Sequence, residues 1–330
     1  PSSPDWQDAT DTKVNTQSKV DDQWWKVFQD PVLDKLVDMG FQQNLTLQVA
    51  GLRILQNRAS LGIAIGNQYP QTQQATGNYS LNRASENAAN GAGANRDYGS
   101  LQVGLDASWE LDLWGRFQRG IESADAALGA SVAQYDDVLV SLASEIALTY
   151  VLIRQLEERI GYAQGNVDIQ KQTLKITEAQ FKGGQVSELD VQQARALLYN
   201  TEALVPDFEA SLRQAKNALS VLLGKPPQEL RDILGEPGKI PVAPKSIATG
   251  IPSDLLRRRP DIRQAELDAA SQSARIGVAE ADLYPRFTLA GFIGSATSNN
   301  GGDQSNNANL GDVFNTDSFT GFIGPSVSLP

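Results

Sequence analysis

Hydrophobic and polar positions follow two rhythms along this chain. From 98 to 113, Leu101, Val103, Leu105, Ala107, Trp109, Leu111 and Leu113 fall on one side. Gln102, Gly104, Asp106, Ser108, Glu110 and Asp112 fall on the other, which is the period of two of a one-sided strand. A partner segment covers 71–83, and the Gly/Asn/Ala run SENAANGAGAN separates the two. The pattern returns at 287–295 and 319–329, with the loop SNNGGDQSNNANLGD between them. There Phe319, Ile323, Val327 and Leu329 share a face with Gly321 and Pro325, opposite Thr320, Gly324, Ser326 and Ser328. Such strands suit a membrane barrel with a wet interior, or one face of a soluble sandwich.

The second rhythm is helical. Leu47, Leu52, Leu55, Ala59 and Ile63 predict a helix over 44–68, closed by Tyr69-Pro70. From 115 to 182, apolar residues recur in alternating steps of four and three: Tyr135, Leu139, Leu142, Ile146, Thr149, Ile153, Leu156, Ile160, Ala163, Val167, Gln170, Leu174, Thr177 and Phe181. A helix of that length spans about 100 Å. Gly183-Gly184 turns the chain, and a return helix carries Ala194, Leu198, Thr201, Val205, Phe208, Leu212, Ala215, Leu219 and Leu222. Pro206 is expected to kink it, and Gly224 with Pro226-Pro227 to end it. GEPGKIPVAPKSIATGIP then reads as an irregular connector.

The chain repeats itself. A shift of 215 positions lays Ala50, Leu52, Ala59, Gly62, Ala64, Tyr69 and Pro70 over Ala265, Leu267, Ala274, Gly277, Ala279, Tyr284 and Pro285. A small further shift lays GLDASWE over GPSVSLP. A period this long is no solenoid and indicates two halves of one architecture. Pro330 falls opposite Glu110, after which the first copy continues for more than 100 residues. The expectation is that a C-terminal helical section is missing.

Composition removes most chemistry. The 330 residues hold no His, no Cys and a single Met, which excludes a Ser-His-Asp triad, a Cys nucleophile and a His- or Cys-ligated zinc. Carboxylate, Lys, Tyr or Ser chemistry stays open on composition, although no cofactor and no enzymatic activity are expected. A net charge of −11 argues against nucleic acid as a partner. No run approaches the roughly 18 apolar residues of a membrane helix, so any membrane crossing is by strands. The opening PSSPDWQDATDTKVNTQSKVDD carries no signal peptide and reads as an extended arm, at the start of a mature chain or of a cytosolic protein.

The candidate residues each have two readings. Glu110 with Asp112 could form an acid/base pair, or could continue the polar face of a strand. Asp136-Asp137 and Glu157-Glu158 lie beside the heptad seam. LLRRRPDIRQAE, from Leu255 to Glu266, could bind a phosphate or an acidic partner, or mark a helix start at Pro260. Tyr69 and Tyr284 begin strands, while Trp109 and Trp114 end another at the same edge. They read as a membrane-interface aromatic belt or as core packing.

Several motifs stand in one order along nearly the whole chain: WWKVFQDPVLDKLV, WELDLWGR at Trp109, FKGGQVSELDVQQA at Phe181, LSVLLGKPP at Leu219 and IPSDLLRRRPDIRQAELDAASQSARIGVAEADLYP. In this the chain resembles the outer-membrane factor family of tripartite efflux pumps, the TolC-like and OprM-like channels. The resemblance implies an α+β membrane protein. In it a trimeric outer-membrane β-barrel, four strands per chain, is continuous with a long periplasmic α-helical barrel of coiled-coil hairpins. Four strands alone leave open edges that lipid does not tolerate, which independently requires chains to combine.

The resemblance further implies passive conduction of drugs or other small molecules to the exterior. The partners it implies are a homotrimer, outer-membrane lipid, a periplasmic adaptor (membrane fusion protein) and an inner-membrane RND-type transporter. Its docking tip maps onto Lys182, Gly183, Gly184, Gln185, Val186, Ser187, Glu188, Leu189 and Asp190, with Lys182 where the family more usually has Arg nearby. The family's main periplasmic gate lies largely in a second hairpin absent from these residues. Many members are lipoproteins acylated on an N-terminal Cys, and this chain has none. The expected division is an N-terminal arm and short helix (1–43), a first-repeat helix with two barrel strands (44–113) and the periplasmic hairpin (114–224). An equatorial connector (225–258) and a truncated second repeat (259–330) follow. A periplasmic coiled-coil adaptor is the rival reading. It would share the hairpin but lack paired amphipathic strands.

Overall fold

Proline and glycine set most of the element boundaries. The computed structural model describes residues 14–15, 23–83, 85, 97–227, 230–242, 247–248, 258–299 and 310–330. In chain order these form β1 (Val14–Asn15), η1 (Trp24–Phe28), α1 (Pro31–Gln43), α2 (Leu45–Gly66), β2 (Thr72–Arg83), β3 (Asp97–Leu111) and α3 (Arg116–Lys182). Then come α4 (Glu188–Leu222), α5 (Leu230–Leu234), β4 (Ile247–Ala248), α6 (Pro260–Ala281), β5 (Arg286–Ser298), η2 (Leu310–Phe314), η3 (Thr316–Ser318) and β6 (Phe319–Ser328). Pro31 opens α1, where its missing N–H costs nothing. Asp30 caps the same turn by accepting from Val32 N at 2.9 Å and Leu33 N at 3.2 Å. Gly224 ends α4 in the left-handed region (φ 61°), and a Cβ there would lie 2.5 Å from the Gln43 carbonyl oxygen. The arm over 1–13 and 16–22, the loop over 86–96 and much of the connector expected over 235–252 lie outside the described residues.

Two compact units result, one of 1–54 with 131–265 and one of 55–130 with 266–330; α2, α3 and α6 contribute to both. In the first, the heptad seam of α3 is its buried stripe: Leu142, Ile146, Ile153, Leu156, Ala163 and Val167 are buried. They join Trp25, Leu33, Leu36, Val37, Leu219, Leu223, Leu230 and Leu234 in one core, except that Ala163 and Val167 lie beyond it along the helix. Phe181, the last seam position and one residue from the end of α3, is exposed. α4 runs on through Pro206 as a single helix. Lys171–Glu202 (3.1 Å) and Arg195–Glu178 (3.0 Å) tie α3 to α4 across the seam.

The same core holds a buried charge. The Arg154 guanidinium donates to Glu157 Oε2 (2.8 Å), to the carbonyls of Leu234 (2.8 Å) and Glu236 (3.2 Å), and to the Tyr150 hydroxyl (3.2 Å). Tyr150 in turn donates to Asp30 Oδ2 at 2.7 Å. Burial pushes the Tyr150 pKa above its ordinary 10.0, and the Asp30 contact adds to this against the pull of Arg154. The neutral phenol is therefore favoured by folding. Its contribution is complete below pH 10.0 and is lost as pH rises through the raised folded value. Stability measured across that alkaline window is expected to fall, and Tyr150→Phe to flatten the slope.

The second unit carries an antiparallel sheet in the order β2-β3-β5-β6, so β2 and β6 are its edges. The helix–strand–strand order occurs twice, as α2-β2-β3 and α6-β5-β6, in keeping with the duplicated sequence. β3 stops at Leu111, short of the 113 expected from its alternation. Asp112 leaves the strand to cap α3, accepting from Phe117 N (3.1 Å) and Gln118 N (2.9 Å), and Gly115 (φ 75°) makes the turn. Leu113 and Trp114 are consequently outside the sheet. Tyr69 and Tyr284 likewise precede their strands, which begin at Thr72 and Arg286, after Pro70 and Pro285. A proline has no N–H for the ladder.

Candidate functional site

The α3–α4 turn gathers all the residues expected at a docking tip. Gln185 N donates to the Gln180 carbonyl (2.9 Å) and Gly184 N to that of Phe181 (2.9 Å), closing α3 with Gly184 at φ 74°. Ser187 then starts α4: Asp190 Oδ2 accepts from the Ser187 backbone N–H (2.8 Å) and hydroxyl (2.7 Å). Those bonds hold the Asp190 carboxyl below its ordinary 3.8. Lys182, Gly183, Gly184, Gln185, Ser187, Glu188, Leu189 and Asp190 are exposed, and Val186 is half-buried. The local order given by a depressed carboxylate is present above pH 3.8 and lost as pH falls through the lowered value. Amide exchange at Ser187–Asp190 is therefore expected to accelerate in that acid range before α3 opens, and Ser187→Ala to bring the acceleration to neutral pH.

At one end of the sheet the expected aromatics form two groups. Trp114 stacks on Tyr284 with ring centroids 4.7 Å apart, and its Nε1 donates to the Pro285 carbonyl at 2.8 Å. Trp109 Nε1 donates to the Gln68 carbonyl at 3.1 Å, beside Tyr69. Both indoles thus bond to the turn that precedes a strand, once in each repeat. Tyr69, Trp114 and Tyr284 are exposed. Arg116 binds the same end together through Glu110 (3.2 Å) and Asp282 (3.1 Å).

The carboxylates proposed as an acid/base pair have separate structural partners: Glu110 binds Arg116, and Asp112 caps α3. Of the basic cluster, Arg259 forms a fork with Asp261 at 3.1 and 2.7 Å beside the helix start at Pro260, which favours the structural reading for that residue. Residues 255–257 lie outside the described residues. Among the described residues no cluster of carboxylates could hold a metal, and no helix is long and apolar enough to cross a membrane.

Strand register assigns the faces. Leu105 pairs with Ala75 and Ile293, and Ile293 with Gly321, so the apolar residues share one side. Exposed on it are Leu81, Leu105, Ile293, Phe319, Ile323 and Val327. The opposite side is polar, with Thr76 donating to Asp106 (2.6 Å) and Ser80 bonded to Ser100 (2.7 Å). One level departs from this: Gln74, Asp106, Phe292 and Phe322 are successive register partners on the polar side. An open groove of about 880 Å³ passes this level, lined by that row but mostly by residues of the apolar side, Leu105, Ile293, Phe319 and Ile323 among them. Neither phenylalanine stands out in the sequence, because only cross-strand register puts them in line with Asp106.

Known proteins resemble this chain in sequence and, where solved, in structure. Nodulation protein T of Rhizobium leguminosarum biovar trifolii is 34% identical over 270 residues, 82% of this chain and 57% of that protein. The pyoverdine export outer membrane protein OpmQ of Pseudomonas putida is 31% identical over 296 residues, 89% of this chain and 62% of that protein. This chain thus spans somewhat more than half the length of such relatives. The solved outer-membrane channel OprN superposes with a TM-score of 0.88 at 32% identity, covering 99% of this chain and 70% of that one. The Campylobacter jejuni CmeC outer membrane channel superposes with a TM-score of 0.83 at 27% identity, covering 96% and 65%. The family model described as Outer membrane efflux protein matches residues 36–225 and 251–330. Repeat, hairpin and two-faced sheet agree with that match, and the chain belongs to this family.

Proposed function

We propose that the protein is the outer-membrane channel of a tripartite efflux pump. Three copies would contribute strands to one barrel and helices to a periplasmic conduit through which small molecules pass without chemical change. The carrying observation is the sheet: its apolar side is exposed, with Leu81 at 78% and Ile323 at 77%, and among the described residues both its edges, β2 and β6, end without a partner strand. In lipid every backbone N–H and C=O must be paired, so such a sheet becomes stable only when closed with others. An apolar exterior over a polar interior is the arrangement a barrel needs. Trp114–Tyr284, Trp109 and Tyr69 would then sit at one interface, and the 182–190 tip would meet a periplasmic adaptor that connects to an inner-membrane transporter.

Deleting the protein from its native cells should raise retention of exported dyes, and restoring the whole protein should reverse this. A Gly184→Val version should insert yet fail to restore export. A β-branched residue at φ 74° costs at least about 1–2 kcal/mol and deforms the turn. Unchanged retention after deletion, with the protein found in the soluble fraction, would count against the proposal and favour an adaptor.

A further inference from the structure

The polar side of the sheet has an aromatic interruption that barrel closure does not need. Phe292 and Phe322 face each other across β5 and β6, and Asp106 lies next to Phe292 on β3. The two rings differ in role. Phe292 is 7% exposed and lies over a floor of two glycines: a Cβ on Gly104 would come within 2.5 Å of its ring, and one on Gly294 within 2.7 Å. Phe322, on the edge strand β6, is 63% exposed in the single chain. Asp106 accepts from the Thr76 hydroxyl, and no Lys or Arg pairs with it among the described residues. A packed ring, an open ring and an unneutralised carboxylate therefore follow one another along a single row.

We propose that Phe322, backed by Phe292 and accompanied by Asp106, forms an aromatic step on the water-facing wall of the channel that retains organic cations with an aromatic body. This rests on the channel reading above, in which the polar side faces water. The chemistry is the attraction of a cation to a ring face, with a carboxylate adding charge selection at the same level. Threefold assembly repeats the step three times around the wall. A lone exposed phenylalanine would carry no such meaning. Here two rings are in register and glycines make room for one of them.

The test is current through the whole protein, extracted from its own membrane and placed in planar bilayers. Block by tetraphenylphosphonium is compared with block by tetramethylammonium. Phe322→Leu and Phe322→Ser should weaken tetraphenylphosphonium block about 3- to 30-fold while Phe322→Tyr preserves it. Asp106→Asn should weaken block by both cations. Val327→Ser, on the opposite side, should change neither. Potassium chloride current in each variant reports that the channel has formed, and Phe322→Leu decides the matter if Phe322→Ser does not insert. Unaltered tetraphenylphosphonium block in a conducting Phe322→Leu channel overturns the aromatic step alone. Absence of any current from the unaltered protein overturns the channel reading and the step with it.

Discussion

Replacing Arg154 by Ala is expected to cost about 3–5 kcal/mol of folding stability, the range for removing one partner of a buried ion pair. Its side chain is 4% exposed, as is that of Glu157, so the carboxylate would stay buried with only Lys216, at 3.1 Å, to neutralise it. The carbonyls of Leu234 and Glu236 would lose their donors as well. Burial opposes the Arg154 charge, yet its bonds to Tyr150 and Glu157 outweigh that cost and hold its pKa above the usual arginine value. The guanidinium also fills space that a Cβ on Gly238 would contest at 3.0 Å. One side chain thus joins α3, the end of α5 and the chain beyond it, and through Tyr150 the cap of α1. Arg154→Lys keeps the charge but not the planar fork and should fall between the two. A urea titration followed by helical circular dichroism measures both. A loss below about 1 kcal/mol for Arg154→Ala would mean that the network contributes little beyond a surface pair.

Leu219→Ala is expected to cost about 2–5 kcal/mol, the price of a cavity in a packed core. Leu219 is 0% exposed and belongs to the cluster with Ile146, Tyr150 and Ile153, whereas Val221, two residues on, is 77% exposed. Val221→Ala should stay within about 0.5 kcal/mol. The same titration decides between them. Equal effects would show that α4 does not bury the stripe assigned to it.

How much of this was visible beforehand depends on how far apart the interacting residues lie in the chain. The α3 seam was legible because burial with a steady step leaves a periodic trace, and its only exposed member, Phe181, abuts the turn. The turn after α3 is legible because Gly183-Gly184 is local chemistry, whereas the Ser187–Asp190 cap emerges only in the structure. The end of β3 was misplaced at 113 because alternation persists through Leu113 after Asp112 has turned to cap a helix. Arg154 resembles any charged residue on a long helix, and its partners Leu234 and Glu236 are set by tertiary packing across stretches that carry no pattern. Phe292 and Phe322 escaped for a related reason. Parity within a strand assigns a side, but only pairing between strands makes a row.

The proposed channel requires this chain to close its sheet with two further copies in a membrane. Native mass measurement on the whole protein extracted from its own outer membrane tests it most directly, with detergent present and after its removal. A trimer is expected that persists only while detergent or lipid covers the apolar side carrying Leu105, Ile293 and Ile323. A monomer that remains dispersed without detergent would contradict it.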